Sequence, residues 1–291
     1  VIKDMAEKIV LISGCSSGIG LSTAILLASD QCKRFKVYAT MRNLEKKKEL
    51  EERGKHILGD TLFIRAMDVC SDDSVNAIVQ ELVSAHQRID VVINNAGVGY
   101  FGPLEVQSMD SVRSIFETNF FGVLRLTRAA LPCMKSNKEG HIICVSSMGG
   151  INGVPFNGVY CASKFAVEGL CESLAPLLKT FNVRCSVIEP GPVSTSFVAN
   201  AQMTESDTHP EEVDDETKQL LNNCIKKMRG AFSTMVQTPD EIAQVILAAL
   251  DAERPHFRYQ TNKNYASSAA NKLVDITGDK SMETMHQRFF S

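Results

Sequence analysis

The sequence has no long apolar run, no basic arm and no strong excess of either charge. A membrane-crossing helix needs about 18 to 20 consecutive apolar residues, and no such stretch occurs, so we expect no membrane-spanning segment. The formal net charge is −3 over 291 residues. With no basic stripe to attract a polyanion, we expect no nucleic-acid partner.

The cysteines also lack a pattern. The chain contains nine of them, with no Cys-x-x-Cys pair and no spacing typical of metal ligands, so no metal site is predicted. An odd, scattered set is typical of reduced thiols inside the cell. The first eight residues carry charges and lack the apolar segment of a signal peptide. We therefore expect a cytoplasmic location, and peripheral contact with a membrane stays open.

What is present is an alternation of short apolar runs with helical patterns. The predicted strands are residues 8–13, 35–40, 61–66, 90–93, 141–145 and 183–188. The predicted helices are residues 19–29, 44–56, 71–86, 109–136, 159–181 and 238–250. Strands that alternate with helices imply right-handed crossovers and a parallel sheet with helices on both faces. The sequence therefore predicts an α/β protein, a single doubly wound Rossmann domain over residues 1–291.

The weakest pattern lies in residues 194–237. Seven acidic residues occur between Glu205 and Glu216, and they are typical of a solvated surface. We interpret this segment as a helical lid over a substrate site.

The turn after the first strand predicts a dinucleotide site. Glycines there allow a tight turn, and they let a pyrophosphate approach the helix N-terminus, where free N–H groups favour negative charge. The predicted cofactor-binding residues of this turn are Gly14, Ser16, Ser17, Gly18, Ile19 and Gly20.

The end of the second strand indicates which dinucleotide is bound. An acid at this position would bind the ribose hydroxyls of NAD, whereas a cation accepts the 2′-phosphate of NADP. The chain has Arg42 and no acid there, with Ser17 as a hydroxyl partner for the phosphate. The sequence thus favours NADP(H).

Two later strand ends are predicted to complete the adenosine site. Asp68 and Val69 follow the third strand and would lie beside the adenine. Asn95, Ala96 and Gly97 follow the fourth strand, where small residues let backbone approach the adenine ribose. A turn-stabilising role for the Asn95 side chain is the alternative.

Tyr160 and Lys164 are spaced for proton transfer. Four residues apart on a helix, their side chains share one face. An ammonium near a phenol is expected to lower the phenol's pKa from its usual value near 10. A phenol tuned in this way can exchange a proton with an alcohol or a carbonyl at neutral pH.

Taken together, these motifs resemble the classical short-chain dehydrogenase/reductase family. The resemblance is dense over residues 8–195, and the matching pieces are residues 14–20, 94–97, Asn119, Ser147, residues 160–164 and residues 190–193. It implies that Tyr160 is the general acid or base, that Lys164 stabilises the phenolate and holds the nicotinamide ribose, and that Ser147 binds the substrate oxygen. It also implies that Asn119 anchors a proton-relay water, and that a segment after the sixth strand lies against the nicotinamide. That segment comprises Pro190, Gly191, Val193 and Thr195.

Within this family the sequence is similar to dehydrogenases that act on retinol and on 17β-hydroxysteroids. The resemblance implies a hydrophobic alcohol/carbonyl pair as substrate, all-trans-retinal/retinol first and estrone/estradiol second. The expected substrate wall comprises Ser147, Gly149, Gly150, Val154, Pro155, Phe156, Phe197 and Met203. A homodimer through the helices at 109–136 and 159–181 is implied as well. A catalytically idle NADP-binding regulator is the alternative from another class.

Overall fold

A computed structural model describes residues 7–195, 213–272, 275, 277–280 and 283. Two residues of the expected substrate wall, Phe197 and Met203, lie outside these described residues.

Seven parallel strands form one sheet. They are β1 (Lys8–Ile12), β2 (Phe35–Met41), β3 (Leu62–Ala66), β4 (Val91–Asn94), β5 (Gly140–Val145), β6 (Val183–Glu189) and β7 (Arg258–Gln260). Their order is β3-β2-β1-β4-β5-β6-β7. The strand order reverses between β1 and β4, and in open parallel sheets ligands bind in the crevice at the carboxyl ends of such strands.

Helices cover both faces of the sheet. They are α1 (Gly18–Ala28), α2 (Lys48–Arg53), α3 (Asp72–His86), α4 (Met109–Phe116), α5 (Gly122–Asn137), α6 (Gly158–Lys179), α7 (Asp215–Met235), α8 (Pro239–Asp251) and α9 (Lys263–Lys272). Short 3₁₀ turns occur at Leu44–Lys47, Leu104–Val106 and Met148–Gly150.

Two apolar clusters hold these layers together, one on each face of the sheet. On one face, Leu82 of α3, Leu126 of α5 and Val167 of α6 belong to the cluster that packs against the sheet. Leu21 and Ile246 belong to the other face, where α1 and α8 lie. Strands buried on both faces read as continuous apolar runs, as the sequence shows. The predicted doubly wound α/β fold is confirmed.

Two features differ from the sequence prediction. The helix expected at 109–136 is two helices, α4 and α5, separated by a turn of π-helix at Glu117–Phe121. No sequence pattern predicts strand β7 and helix α9. Within the segment expected to form a helical lid, α7 is a helix of 21 residues.

Among the described residues, no helix combines the length and the apolar character needed to cross a bilayer.

Candidate active site

The glycine-rich loop between β1 and α1 is packed directly against the loop after β4. Gly14 and Gly18 have φ of +75° and +60°, in the left-handed region that favours glycine. A Cβ at Gly14 would lie 2.8 Å from the Ala96 Cα, and a Cβ at Gly20 would overlap the Asn95 side-chain amide. The loop therefore keeps its backbone bare at the N-terminus of α1, as a pyrophosphate site requires.

The Asn95 side chain holds this loop in place. Its Nδ2 donates to the carbonyls of Ser13 at 2.9 Å and Gly14 at 3.0 Å. The Ser13 hydroxyl in turn accepts from the backbone N–H groups of Asn95 and Ala96, at 3.0 and 3.1 Å. The Asn95 side chain thus fastens the glycine-rich loop to the loop after β4.

A cavity of about 660 Å³ opens beside the N-terminus of α1. Its lining includes Ser17, Gly18, Val193 and Thr195. A Cβ at Gly18 would lie 3.1 Å from the Thr195 Cγ2. The structure therefore brings Val193 and Thr195, which follow β6, next to the predicted pyrophosphate loop. In the same region, Ser16 and Ile19 are half-buried.

Arg42 follows the last residue of β2 and is exposed. Within the described part of the chain its guanidinium makes no hydrogen bond or ion pair. An exposed guanidinium at the tip of β2 suits a phosphate ligand, because its five N–H donors match the geometry of phosphate oxygens.

The residues after β3 occupy the next strand end. The Asp68 Oδ1 accepts from the Cys70 N–H at 2.9 Å, which fixes the turn. Val69 is buried against α5, since a Cβ at Gly122 would lie 2.9 Å from the Val69 Cγ2.

The four polar residues predicted to be catalytic converge at the carboxyl ends of β4 and β5. A Cβ at Gly149 would lie 3.4 Å from both the Ser147 Oγ and the Tyr160 Cε1, so these side chains flank one glycine. The Lys164 Nζ donates to the Val145 carbonyl at 2.9 Å and lies 5.8 Å from the centroid of the Tyr160 ring.

Asn119 connects the loop after β4 to helix α6. Its Oδ1 accepts from the Val98 N–H at 2.8 Å, and its Nδ2 donates to the Val98 carbonyl at 2.9 Å and the Ser163 Oγ at 3.0 Å. The π-helical turn at Glu117–Phe121 places this fully buried amide where the regular helix would not. Single π turns inside α-helices are frequent at functional sites.

Burial dominates the electrostatics of the Tyr160–Lys164 pair. It raises the pKa of Tyr160 to about 12, against the opposing hydrogen bond of Ser147. It lowers the pKa of Lys164 to about 8. The expectation that Lys164 lowers the pKa of the phenol is therefore wrong for this structure. The loss of water around both groups outweighs an ammonium that lies 5.8 Å from the ring centroid and donates to a carbonyl.

The segment after β6 lies beside the serine loop. The Met148 N–H donates to the Pro190 carbonyl at 2.9 Å. On its other side, Gly191 is covered by Tyr265, whose ring carbons would lie 3.0 Å from a Cβ placed there. Sequence reasoning missed Tyr265, because no pattern in residues 255–272 identified β7 and α9.

The expected substrate wall includes a residue with a strained backbone. Phe156 has a φ of 61°, which is rare for a bulky side chain. Its carbonyl accepts from the Gly102 N–H at 2.8 Å, and its ring centroid lies 6.3 Å from that of Phe101. Phe101 and Gly102 lie in the loop after β4, and no sequence pattern singles them out. Val154 is half-buried and Pro155 is exposed nearby, whereas Gly149 and Gly150 are buried.

The fold and these motifs define a class of protein. Residues 8–206 match the family described as short chain dehydrogenase. The chain belongs to this family, and it is an oxidoreductase.

Among its relatives is human retinol dehydrogenase 8, 44% identical over 98% of this chain and 91% of the relative. Human 17-beta-hydroxysteroid dehydrogenase type 1 is 40% identical over 98% of this chain and 87% of that protein. A short-chain dehydrogenase from Streptomyces avermitilis superposes with a TM-score of 0.78 at 25% identity, covering 98% of this chain and all of the other.

Proposed function

We propose that this protein is an NADP(H)-dependent oxidoreductase that interconverts a hydrophobic alcohol and its carbonyl, most directly all-trans-retinal and retinol. The observation that carries this proposal is the convergence of Asn119, Ser147, Tyr160 and Lys164 beside a bare glycine-rich loop. When bound, the nicotinamide supplies or accepts the hydride.

The residues of the chain supply position and a proton. The Ser147 hydroxyl orients the substrate oxygen next to the Tyr160 phenol. Tyr160 donates its proton to that oxygen during reduction and takes it back during oxidation. Its raised pKa keeps the phenol protonated at neutral pH, as a general acid requires. The Lys164 ammonium stabilises the phenolate that forms, and Asn119 fixes α6 relative to the loop after β4.

The preference for NADP(H) rests on Arg42. This guanidinium is exposed at the end of β2, and no acid stands at the tip of that strand to bind ribose hydroxyls. Ser17 and the N-terminus of α1 lie on the pyrophosphate side of the same crevice. Asp68, Val69 and the backbone of 95–97 complete the adenosine site at the neighbouring strand ends.

The substrate assignment rests on the relatives and on the wall of the site. One relative is named for retinol and the other for a 17β-hydroxysteroid, and both of these molecules are hydrophobic and contain rings. Estrone/estradiol is therefore the second candidate. The half-buried rings of Phe101 and Phe156 pack near each other in the expected substrate wall and suit an apolar substrate with one polar end.

A homodimer is also expected. Phe121 on the π turn and Phe165 on α6 expose 44% and 38% of their surfaces. Exposed aromatic side chains on these two helices favour a symmetric contact. Light scattering after gel filtration would show a mass of about twice 31.9 kDa if this is right, and a monomer would refute it.

The proposed reaction is tested by NADPH oxidation with all-trans-retinal, with estrone and without substrate. We expect turnover with retinal and its loss in Tyr160→Phe, whose fold is checked by circular dichroism. An idle regulator would bind NADPH and turn over neither carbonyl.

The cofactor preference is tested separately with Arg42→Ala, and Lys46→Ala is the matched control on the same exposed surface. Loss of a charge-assisted phosphate contact of roughly 1.5–3 kcal/mol raises the KM for NADPH about 10- to 150-fold. The KM for NADH should not change. A preference for NADH in the wild type that survives Arg42→Ala would contradict the assignment.

A further inference from the structure

A buried cluster of charged side chains lies behind the catalytic helix. Arg258 on β7 is 5% exposed, and its Nη1 donates to Glu168 on α6 and to the Glu189 Oε1 at 2.7 Å. Its Nη2 donates to Glu172. The Gln260 Nε2 completes the cluster by donating to the Glu189 Oε2 at 2.5 Å.

This cluster joins three parts of the active site. Glu189 is the last residue of β6, directly before Pro190. Glu168 is one helical turn beyond Lys164, so the two side chains share a face of α6. A Cβ at Gly150 would lie 3.1 Å from the Glu168 Oε1, which places this carboxyl beside the loop that carries Ser147.

The cluster has more carboxyl groups than cations. Glu168 and Glu189 are both buried, and a single guanidinium faces them. Burial, followed by the like charge of Glu189, raises the pKa of Glu168 to about 8, and Arg258 acts in the opposite direction. Burial lowers the pKa of Lys164 to about 8, and Cys144 and then Glu168 act in the opposite direction.

The other groups near Lys164 cannot supply this negative charge. Burial raises the pKa of the Tyr160 phenol to about 12. The pKa of the Cys144 thiol on β5 is also raised, chiefly by Cys171 and then by burial. Both are therefore neutral below pH 8. Asn119 on the π turn carries no charge. Around Glu168 itself, the charged or titratable groups are Arg258, Glu189, Glu172, Lys164, Cys144 and Cys171.

We infer that Glu168, oriented by Arg258, is a positioning residue that keeps Lys164 in its ammonium form beside Tyr160. Its catalytic consequence rests on the proposed oxidoreductase function. As the pH rises, Glu168 releases its proton and a negative charge appears one turn from Lys164. That charge opposes the loss of the lysine proton, so the ammonium persists into the alkaline range.

The inference is tested without turnover by NMR of protein labelled with ¹³C-lysine, following the Cε signal of Lys164 against pH. Lys164→Met identifies the signal. In Glu168→Gln, which keeps the shape and an acceptor for Arg258, we expect the midpoint of Lys164 to fall by about one pH unit, a tenfold loss of proton affinity. Glu172→Gln also removes an Arg258 contact, but its carboxylate side chain is 57% exposed, so the midpoint should stay.

A second variant and a second measurement keep the test decisive. Arg258→Lys retains the positive charge and loses the guanidinium fork, so it should move the Lys164 midpoint down by less than Glu168→Gln does. In retinal reduction, the alkaline fall in kcat should move to lower pH in Glu168→Gln. An unchanged Lys164 midpoint in both variants would overturn the inference. Absence of turnover in the wild type would refute the proposed function and leave the NMR result standing.

Discussion

His141 on β5 should make the fold sensitive to acid. Its side chain is buried, and its Nε2 lies 2.9 Å from the Ser186 Oγ. Ser186 uses its own hydrogen to donate to the His256 carbonyl at 2.8 Å. Its oxygen therefore accepts from His141, which makes the imidazole the neutral tautomer with a proton on Nε2.

The magnitude follows from the pKa of this imidazole. Burial, with smaller contributions from Arg184 and Lys8, lowers it from 6.5 to about 3. A group whose pKa is lower in the folded state stabilises the fold above its unfolded pKa and loses that contribution as the pH falls. Between pH 7 and pH 5, protonation in the unfolded chain should remove about 2 kcal/mol from the free energy of unfolding.

Urea unfolding at both pH values measures this loss, with His141→Gln as the comparison. Glutamine keeps a side-chain N–H donor for Ser186 and does not titrate, so its loss between pH 7 and pH 5 should be about 2 kcal/mol smaller. The difference between the two proteins cancels the contributions of carboxylates that titrate in both. Equal pH dependence in the two proteins would refute the reasoning.

Three further predictions concern the loop, a helix cap and the substrate wall. Gly20→Ala should lower the free energy of unfolding by about 1–3 kcal/mol, because its methyl group overlaps the Asn95 amide; NADPH should also raise the Tm of this variant less than that of the wild type. Ser71→Ala should cost about 1 kcal/mol in urea unfolding, since the Ser71 hydroxyl caps α3 by accepting from the Ser74 N–H at 3.2 Å. Phe156→Gly should remove left-handed strain of about 1 kcal/mol and raise the KM for retinal more than the KM for a small ketone. A retinal KM equal to that of the wild type would exclude the ring from the substrate wall.

Local signals explain what the sequence predicted well. The turn at 14–20 depends on glycines whose left-handed φ and bare backbone can be foreseen from residue type. Strands such as β1 are apolar throughout because both their faces are buried. The grouping of Tyr160 with Lys164 follows from helical spacing alone.

Long-range contacts explain what the sequence could not predict. Strand β7 contains only Arg258–Gln260, too short and polar for an apolar run, and its pairing with β6 is set by tertiary contact. The Arg258 contacts to Glu168 and Glu189 span 90 and 69 residues, so no local pattern reveals them. The spacing of Tyr160 and Lys164 likewise predicts proximity but not burial, and burial reverses the expected direction of the Tyr160 pKa.

The π turn at Glu117–Phe121 has a consequence for how this chain tolerates length changes. A π turn holds one residue more than the α-helical turn it replaces, and each residue of an α-helix advances about 100° around the axis. Deleting a single residue here would let α4 and α5 merge into one regular rod. Because the π turn and the α turn that replaces it each make about one revolution, the faces of α4 and α5 would keep their directions. The Asn119 amide would nevertheless lose the local geometry that turns it toward Val98 and Ser163. Helical regularity and the hydrogen-bonded link from Val98 to Ser163 are therefore mutually exclusive at this point in the chain.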